Sequence, residues 1–457
     1  MDNLPQSWEI VKLRDVVTPS KEKIEPLTHP TLKYIGLEHI ESHSRKILGS
    51  GISGETKSTK TVFHSGDILY GKLRPYLNKV CIARFDGVCS TDILVFNKGE
   101  KIESKYLALF LFSKPVVDYT THHSTGVQLP RISFEKLGAL PIPLPPLPEQ
   151  QRIVIQVEKL LARVEATRER LNRVPTIMQQ FRQSVLAAAC SGRLTEEWRR
   201  SHQNHSSAKE IIKFASSNRD IFYTSLGFKN QKKKPSEISI LDQSIEQKNI
   251  QETWCWIKLP DVGYLSRGRS KNRPRNDPIL YGGDYPFIQT GDISQSNGRI
   301  LSHTQTYNEM GLRQSQLWGK DTICITIAAN IAESAILTYP ACFPDSVVGI
   351  ITNNAFCLPE YVEYYIRTIK SDLSQYAPAT AQKNINVAIL SEVQIPIPPL
   401  EEQKELIRQV NALFCHTSRI EAQVVAARER VETITQSILH QAFTGRLIQN
   451  EETVSLI

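Results

Sequence analysis

The 457-residue chain has few features of a secreted, membrane-spanning or metal-binding protein. Its eight cysteines form no CxxC pair and have no regular spacing, which argues against zinc and indicates free thiols in a reducing cytoplasm. The longest apolar run, residues 323–343, is interrupted by Asn330, Glu333 and Pro340, so we expect no membrane span. Residues 1–10 mix polar and apolar side chains, unlike a signal peptide. We therefore expect a cytoplasmic protein.

Motifs of catalysis are also missing from the sequence. There is no Asn/Asp-Pro-Pro-aromatic motif for amino methyl transfer, no glycine-rich loop between a strand and a helix, no GKS or GKT phosphate loop, and no HExxH motif. Pro344-Asp345 has no Glu-x-Lys nearby to complete a nuclease cluster, and His122-His123 is interpreted as a surface pair. The sequence therefore predicts a recognition or assembly subunit rather than an enzyme, with no metal or cofactor of its own.

The chain does contain a long internal repeat. PIPLPPLPEQQ at residues 141–151 returns as QIPIPPLEEQK at residues 394–404, and QSVLAAACSGRL at 183–194 returns as QSILHQAFTGRL at 436–447. Both matches have the same offset of 253 residues, so the segments between them align without a gap. Each copy follows a long stretch of unlike sequence. A repeat of this period indicates a duplicated pair of domains with pseudo-two-fold geometry.

Each repeated segment has the heptad pattern of a coiled coil. Mainly apolar residues recur in alternating steps of three and four, which predicts a long helical seam. Proline runs predict an extended entry to each helix, and Gly192 and Gly445 predict C-terminal stops. Pro175 predicts a kink in the first helix. The seam positions are Val157, Leu160, Val164, Thr167, Leu171, Val174, Met178, Phe181, Val185 and Ala188 in the first copy, and Val410, Leu413, Thr417, Ile420, Val424, Ala427, Val431, Ile434, Ile438 and Gln441 in the second.

We expect the two helices to pair with each other in antiparallel orientation. The alternative is two amphipathic helices that each pack on their own domain. Antiparallel pairing sets large side chains against small ones, as a well-packed interface requires, whereas parallel pairing leaves some layers thin and others crowded. The predicted layers are Phe181 with Thr417, Leu171 with Ala427, Met178 with Ile420, Val157 with Gln441, and Ala188 with Val410.

The unlike stretches have mixed α and β patterns and carry basic clusters. The net charge of +8 is a mild indication of a polyanionic partner. Tyr70, Lys72 and Arg74 alternate aromatic and cationic side chains, which suits contacts with nucleic acid. A second cluster lies in a segment interrupted by glycine and proline, and it predicts a loop that can reach phosphates or guanine edges. Its members are Arg267, Arg269, Lys271, Arg273 and Arg275.

A polar loop near the end of each unlike stretch adds to this prediction. The first, residues 124–131, contains Gln128 and Arg131, and the second contains Gln382, Lys383 and Asn384. Glutamine, asparagine and arginine are the side chains that contact base edges with two hydrogen bonds. The alternative for all these residues is an ordinary solvated loop. Two further matches, Trp8 with Trp256 and Asp92 with Asp345, are interpreted as residues that maintain a shared fold.

The arrangement resembles the specificity subunits of type I restriction-modification systems, over nearly the whole chain. The sequence of residues 66–77 resembles a recurrent sequence motif in that family's target recognition domains. The sequence of residues 341–346 does so more loosely. The resemblance implies an α+β fold in which two target recognition domains are separated by two long helices that pair as an antiparallel coiled coil. The expected parts are a first recognition domain (1–141), a first spacer helix (142–195), a linker (196–250), a second recognition domain (251–394), a second spacer helix (395–449) and a tail (450–457).

The resemblance also implies a function and partners. Each recognition domain would read one half of a bipartite, asymmetric site in double-stranded DNA, and the helices would dock two methyltransferase subunits. Two restriction and translocase subunits would join for cleavage. S-adenosylmethionine, ATP and Mg would be bound by these partner subunits. Three alternatives are a stand-alone sequence-specific DNA-binding protein such as a repressor, a nuclease or transferase with a cryptic site, and a coiled-coil scaffold without a DNA role.

Overall fold

A computed structural model describes residues 4–97, 99–202, 207–227, 238–241, 250–271, 274, 277–328, 330–375 and 385–448 of the chain. The chain divides into two compact units. The first is Met1–Val174 with Gln423–Ile457, and the second is Pro175–Ala422. Each unit therefore contains one variable stretch and one part of both repeated segments.

The first unit combines mixed and antiparallel β-sheets with short helices. Its strands are β1 (Glu9–Lys12), β2 (Lys23–Ile24), β3 (Lys33–Ile35), β4 (Gly51–Ile52), β5 (Lys60–Phe63), β6 (Ile68–Gly71), β7 (Val80–Ile82), β8 (Gly87–Cys89), β9 (Ile93–Phe96) and β10 (Pro141–Leu144). Its helices are α1 (Ser104–Phe112), α2 (Lys114–His123), α3 (Phe134–Leu137) and the first part of α4 (Leu147–Cys190). The strand orders are β2-β5-β8-β3-β4, β7-β6-β9 and β1-β10; among these described strands β3-β8 is a parallel pair and the other pairs are antiparallel.

The core of the first unit includes α1 and the sheet β7-β6-β9. The carboxylate of Glu103 caps α1 by accepting a hydrogen bond from the backbone N–H of Tyr106 at 2.7 Å. Every residue of α1 from Tyr106 to Phe112 is buried, which is typical of a helix inside a core. Phe443, in the second repeated segment, packs edge-on against the rings of Tyr106 and Phe110 with centroids 5.3 Å apart. The repeated segment is therefore part of this core.

The second unit has the same kinds of element in a related order. Its strands are β11 (Cys255–Lys258), β12 (Gly263–Arg267), β13 (Tyr281–Phe287), β14 (Arg299–Ile300), β15 (Gln305–Tyr307), β16 (Ile323–Thr326), β17 (Ser334–Leu337), β18 (Val347–Thr352) and β19 (Gln394–Ile397). Its helices are the last part of α4, α5 (Glu196–Ser201), α6 (Ala208–Ser217), α7 (Arg219–Ser225), α8 (Thr290–Gln295), α9 (Glu309–Gln314), α10 (Pro359–Thr368), α11 (Lys370–Gln375), α12 (Val387–Glu392) and the first part of α13 (Leu400–Phe443). The rest of α13 belongs to the first unit. The strand orders are β12-β18-β16-β17-β14, β13-β15 and β11-β19.

The two repeated segments form the long helices α4 and α13, as predicted. Each helix has 44 residues, and their bounds differ by the repeat offset. The helix α4 continues through Pro175, and the kink predicted there stays a prediction. Gly192 and Gly445, which follow the two helices, both have a φ of 75°. This left-handed conformation favours glycine and matches the predicted C-terminal stops.

Contacts in the first unit show that α4 and α13 run antiparallel. Arg168 donates a hydrogen bond to the carboxylate of Glu432 at 2.8 Å, and Arg428 donates to the backbone carbonyl of Leu171 at 3.2 Å. The position on α13 falls as the position on α4 rises, which parallel helices cannot produce. The predicted direction of pairing is therefore confirmed.

The second unit contains the other half of the helix pair. Here Arg182 forms a bidentate ion pair with Glu421, with N–O distances of 2.7 and 3.0 Å. Ion pairs across a helix–helix contact help to fix which partner and which register are chosen. Phe181 is 40% exposed and Thr417 is 2% exposed. The direct opposition of these two residues stays a prediction.

Only some of the predicted seam positions are buried in the folded chain. Every seventh residue of α13 from Val410 to Ile438 is buried. By contrast, Phe181, Ile420 and Ile434 are 40%, 40% and 48% exposed. Thr167 is also exposed, and the place of these four residues in the seam stays a prediction. Phe181, Ile420 and Ile434 each lie three residues after a more buried seam position.

Gln150 and Gln403, which occupy the same repeat position, make the same hydrogen bonds in the two units. Oε1 of Gln150 accepts from the backbone N–H of Glu103, and Oε1 of Gln403 accepts from that of Leu358, both at 2.8 Å. Each Nε2 donates to two backbone carbonyls at 2.7 to 3.1 Å. Both side chains are fully buried. The repeated glutamine therefore joins the start of each long helix to the preceding variable stretch.

A tryptophan at the start of each variable stretch contacts the same helix turn. Nε1 of Trp8 donates to Glu149 at 2.9 Å, and Nε1 of Trp254 donates to Glu402 at 2.8 Å. The sequence match of Trp8 with Trp256 is therefore wrong. Trp256 lies inside β11, whereas Trp254 precedes that strand as Trp8 precedes β1. The role assigned to Trp8, a packed residue that maintains the fold, agrees with its 7% exposure.

The segment expected to be a linker, residues 196–250, includes the helices α5, α6 and α7. Ala208, Ile212 and Ala215 of α6 are buried in the core of the second unit. Arg219 of α7 forms an ion pair with Asp261 at 3.1 Å. This segment therefore contributes to the second unit. Its three apolar contact residues are too few among polar neighbours to give a clear helical pattern in the sequence.

Within the described ranges, none of the helices is long and apolar enough to cross a bilayer. All eight cysteines are free, and all except Cys415 are buried. Burial raises the pKa of thiols such as Cys89, to about 12, which keeps them protonated.

Candidate nucleic-acid interface

The two clusters predicted in the first unit lie side by side. The backbone N–H of Arg74 donates to the carbonyl of Pro130 at 2.7 Å, and the N–H of Ile132 donates to the carbonyl of Lys72 at 3.0 Å. The segment that follows β6 is thus paired with the polar loop of residues 124–131. Arg74 is exposed and Lys72 is half-buried. The fold therefore places two cations beside the loop that was predicted to read bases.

Asp92 organises this surface. Its backbone carbonyl accepts from the N–H of Lys72 at 2.9 Å, and its carboxylate accepts from Nε and an Nη of Arg131 at 2.8 and 3.2 Å. Such a bidentate contact fixes the orientation of a guanidinium. Arg131 was predicted to contact base edges; Asp92 binds Nε and one Nη of its guanidinium, and the base contact stays a prediction. The geometry of Arg131 is that of a positioning residue for the loop.

Tyr70 was predicted to contact DNA, and this prediction is wrong for the folded chain. The side chain is 4% exposed, and burial raises the pKa of its hydroxyl to about 12. Tyr70 lies in β6, the central strand of its sheet, where both faces are covered. Tyr76 is instead the exposed aromatic residue of this segment, at 44% exposure. It lies two residues after Arg74, whose φ of 50° is in the left-handed region.

The basic cluster of the second unit begins in a strand rather than in a loop. Arg267 is the last residue of β12, and the strand pattern continues because the N–H of Gly268 donates to the carbonyl of Val347 at 2.8 Å. Arg267, Arg269 and Lys271 are exposed, whereas the residues between them are buried. An extended chain alternates its side chains in this way. The three cations therefore share one exposed face.

A cleft of about 220 Å³ adjoins this basic strand. Ser270, which lies between Arg269 and Lys271, is one of its lining residues. The cleft combines hydroxyl and amide groups with aromatic rings, a lining suited to contacts with a planar polar ligand. The other lining residues are Tyr281, Phe287, Gln289, Thr290, Pro344 and Ser346. Sequence reasoning missed the cleft because its lining comes from three separate segments that share no motif.

Five predicted contact residues lie outside the described residues. They are Arg273, Arg275, Gln382, Lys383 and Asn384. Their roles stay predictions.

The described residues contain no group of three or more His, Cys, Asp or Glu side chains placed to hold a metal ion. His123 uses Nδ1 to contact the carbonyl of Tyr119 at 2.8 Å, and its ring stacks on that of Tyr119. Burial raises the pKa of Glu363 to about 7, but this carboxylate lies near Arg367 and accepts a hydrogen bond from Ser334 at 3.1 Å. Its contacts are those of a buried structural group.

The fold and this pair of basic surfaces correspond to a known class of protein. The family model described as "Type I restriction modification DNA specificity domain" matches residues 5–176 and 251–426. These two matches cover most of the chain, which therefore belongs to that family. The predicted family and the predicted α+β fold with two repeated recognition modules and paired helices are confirmed.

Several relatives of known function are similar to this chain. It is 33% identical over 201 residues to the type I restriction enzyme EcoDI specificity subunit of Escherichia coli, a match that covers 44% of this chain and 45% of that subunit. It is 27% identical over 370 residues to the EcoKI specificity subunit of Escherichia coli strain K12, covering 79% and 68%. The EcoBI specificity subunit of Escherichia coli is 28% identical over 386 residues, covering 79% and 70%.

Solved structures share the fold. A chain from a structure of a type I R-M system matches with a TM-score of 0.73 and 21% identity, covering 98% of this chain and 100% of that one. The HsdS subunit from Thermoanaerobacter tengcongensis matches with a TM-score of 0.56 and 21% identity, covering 97% and 98%.

Proposed function

We propose that this chain is the DNA-recognition subunit of a type I restriction-modification complex. The observation that carries the proposal is a repeated fold with two unlike basic surfaces. One surface is formed by Lys72 and Arg74 beside the loop of residues 124–131, and the other by Arg267, Arg269 and Lys271. The fold is repeated even in the hydrogen bonds of the buried Gln150 and Gln403, whereas the two basic surfaces differ. Two different basic surfaces on one repeated fold suit the recognition of two different DNA half-sites.

Each surface has the side chains needed to read DNA. Exposed lysine and arginine side chains can contact phosphates and fix the orientation of the chain on the duplex. Gln128, exposed at the tip of its loop, can contact an adenine edge with two hydrogen bonds. Each variable stretch would thus read one half of a bipartite, asymmetric site in double-stranded DNA.

The long helices are proposed to space the two half-sites and to dock two methyltransferase subunits. Both helices expose large apolar side chains that a partner could cover, among them Phe181, Ile420 and Ile434. Those subunits would hold S-adenosylmethionine and methylate adenine, and two restriction subunits would use ATP and Mg for translocation and cleavage. On this account the chain itself is not catalytic and works in the cytoplasm.

Co-expression with a type I methyltransferase subunit tests the proposal. The complex should co-purify, and sequencing of methylated adenines should return a site with two defined halves and an undefined spacer. The exposed apolar side chains of the helices argue against the second candidate, a stand-alone repressor-like protein. Tight sequence-specific binding by the purified chain alone, without gain on adding the partner, would favour that candidate instead.

A further inference from the structure

The loop of residues 124–131 is held rigidly at its base. The backbones of Thr125 and Arg131 exchange two hydrogen bonds, both 2.9 Å long, which close the loop. Gly126 has a φ of 107°, and a Cβ at this position would lie 3.0 Å from the carbonyl oxygen of Leu129. Together with the ion pair between Arg131 and Asp92, these contacts fix the base from which the tip of the loop projects.

The tip presents apolar side chains to solvent. Val127 is 101% exposed and Leu129 is 47% exposed, on either side of the exposed Gln128. Single exposed apolar residues are common. Here, however, two of them flank a polar side chain at the tip of a loop whose base is fixed, and both stay exposed in the free chain.

The neighbours of the tip favour a polyanion as its partner. Arg74, which is exposed, is joined to the loop through its hydrogen bond to Pro130, and Lys72 is joined through Ile132. A protein partner with an apolar surface would leave these cations to be desolvated, whereas DNA supplies phosphates for them.

We propose that the tip formed by Val127, Gln128 and Leu129 recognises thymine by its C5-methyl group in the major groove of the first half-site. This inference rests on the proposed function. In unmodified DNA the thymine methyl is the apolar group that a base pair presents in the major groove, and it is the partner of apolar side chains there. Gln128 lies between the two apolar residues and would contact the adenine of the same or the adjacent pair.

Replacement of thymine by deoxyuridine is the direct probe, because it removes the methyl group and leaves every hydrogen-bonding atom in place. The co-purified complex would be titrated with duplexes in which each thymine of the first half-site is replaced in turn. At one or two positions, binding should weaken about fourfold, the effect of burying one methyl-sized group, or about 0.8 kcal/mol.

A double-mutant cycle, which combines substitution of Val127 with replacement of thymine by deoxyuridine, tests whether Val127 contacts the methyl group. Val127→Ala should weaken binding to the thymine duplex by a similar factor and leave binding to the deoxyuridine duplex nearly unchanged. Val127→Thr keeps the shape of the side chain and should lie between. Leu48→Ala is the matched control, since Leu48 is 64% exposed in the same unit but belongs to another loop. It should leave both affinities unchanged.

Three results would overturn the inference while leaving the proposed function intact. One is equal affinity for thymine and deoxyuridine throughout the first half-site, and another is a first half-site without thymine. The third is a Val127→Ala variant that loses the same factor on both duplexes, as expected of an apolar wedge between base pairs. Absence of any sequence-specific binding or methylation by the unchanged complex would instead reject the proposed function.

Discussion

Thr195 donates a hydrogen bond from its hydroxyl to Oε1 of Glu402 at 2.6 Å, and both side chains are closed off from solvent. Glu402 also accepts from Trp254 and forms an ion pair with Arg199. Glu149, at the same repeat position in the first unit, accepts from Trp8 and is half-buried. One repeated carboxylate thus has a much larger set of partners in the second unit.

Substitution of this carboxylate should therefore affect the two units unequally. Glu402→Ala leaves the charge of Arg199 and the indole of Trp254 without their buried acceptor, and we expect a loss of about 3 kcal/mol in the free energy of unfolding. Glu149→Ala removes one hydrogen bond to a half-buried carboxylate and should cost about 1.5 kcal/mol, the low end for a bond to a charged group. Urea denaturation of the two variants measures the difference. Equal losses would contradict the larger role of Glu402.

The role assigned to Asp92 can be tested by charge-matched variants. Asp92→Ala frees Arg131 and loosens the loop, so binding through the first half-site should weaken by about tenfold, the effect of one charge-assisted hydrogen bond. Asp118→Ala removes the same charge from an exposed pair with Lys114 and should not weaken binding. Removal of an acidic charge by itself favours DNA binding. Tighter binding by Asp92→Ala would show that loop positioning is unimportant.

The basic strand of the second unit should act through phosphates. Each of Arg267→Ala, Arg269→Ala and Lys271→Ala should reduce the slope of log affinity against log salt by about one where the residue contacts a phosphate. Lys320→Ala, a change of one exposed lysine in the same unit, is the control and should leave the slope as it is. Unchanged slopes in all three variants would show that these residues do not contact phosphates and belong to ordinary solvated surface.

Arg273 and Arg275 continue the same cluster. Their substitution should weaken binding through the second half-site only. A residue that reads a base should relax specificity at one position, at a cost of about 1–3 kcal/mol. If the double variant keeps full affinity and the same methylation pattern, these two residues are not contacts.

The stability of the second unit should depend on the protonation of Glu363. Burial raises the pKa of this carboxyl from 4.5 to about 7, although Arg367 and Arg299 lie close enough to oppose the shift. Between these values the folded chain holds a proton that the unfolded chain has released. The free energy of unfolding should therefore fall as pH rises through this window.

Two variants separate this effect from other titrations. Glu363→Gln should flatten the profile between pH 4.5 and 7. Ser334→Ala removes a hydrogen bond that favours the carboxylate, so the fall should extend to higher pH. Unfolding by urea across this range measures both. An unchanged profile in Glu363→Gln would show that the carboxyl is ionised in the folded chain.

Features encoded by local periodicity were predicted well. The presence of two long helices and the direction of their pairing follow from heptads and a constant repeat offset, and the contact of Arg168 with Glu432 agrees with that direction. The bounds given for the two spacer segments stay predictions. Features set by tertiary packing were not. Tyr70 looked accessible because two cations follow it, yet its strand is central in a sheet, and no local pattern shows that. Trp8 was matched to Trp256 by residue type, whereas the strand register selects Trp254.

The candidate interface shows the same division. Lys72 and Arg131 could be nominated from composition, but their connection through Asp92 depends on strands that are distant in the sequence. The cleft lined by Gln289 and Ser346 arises only when separate segments meet.

The central claim is that one chain reads two half-sites and that its paired helices set their separation. Mapping of methylated adenines tests it most directly, for the complex with the unchanged chain and for one with a heptad inserted at matching positions of α4 and α13. The account predicts a bipartite site whose two half-sites stay the same while the undefined spacer between them changes length. A single continuous site, or half-sites whose sequences change with the insertion, would contradict it.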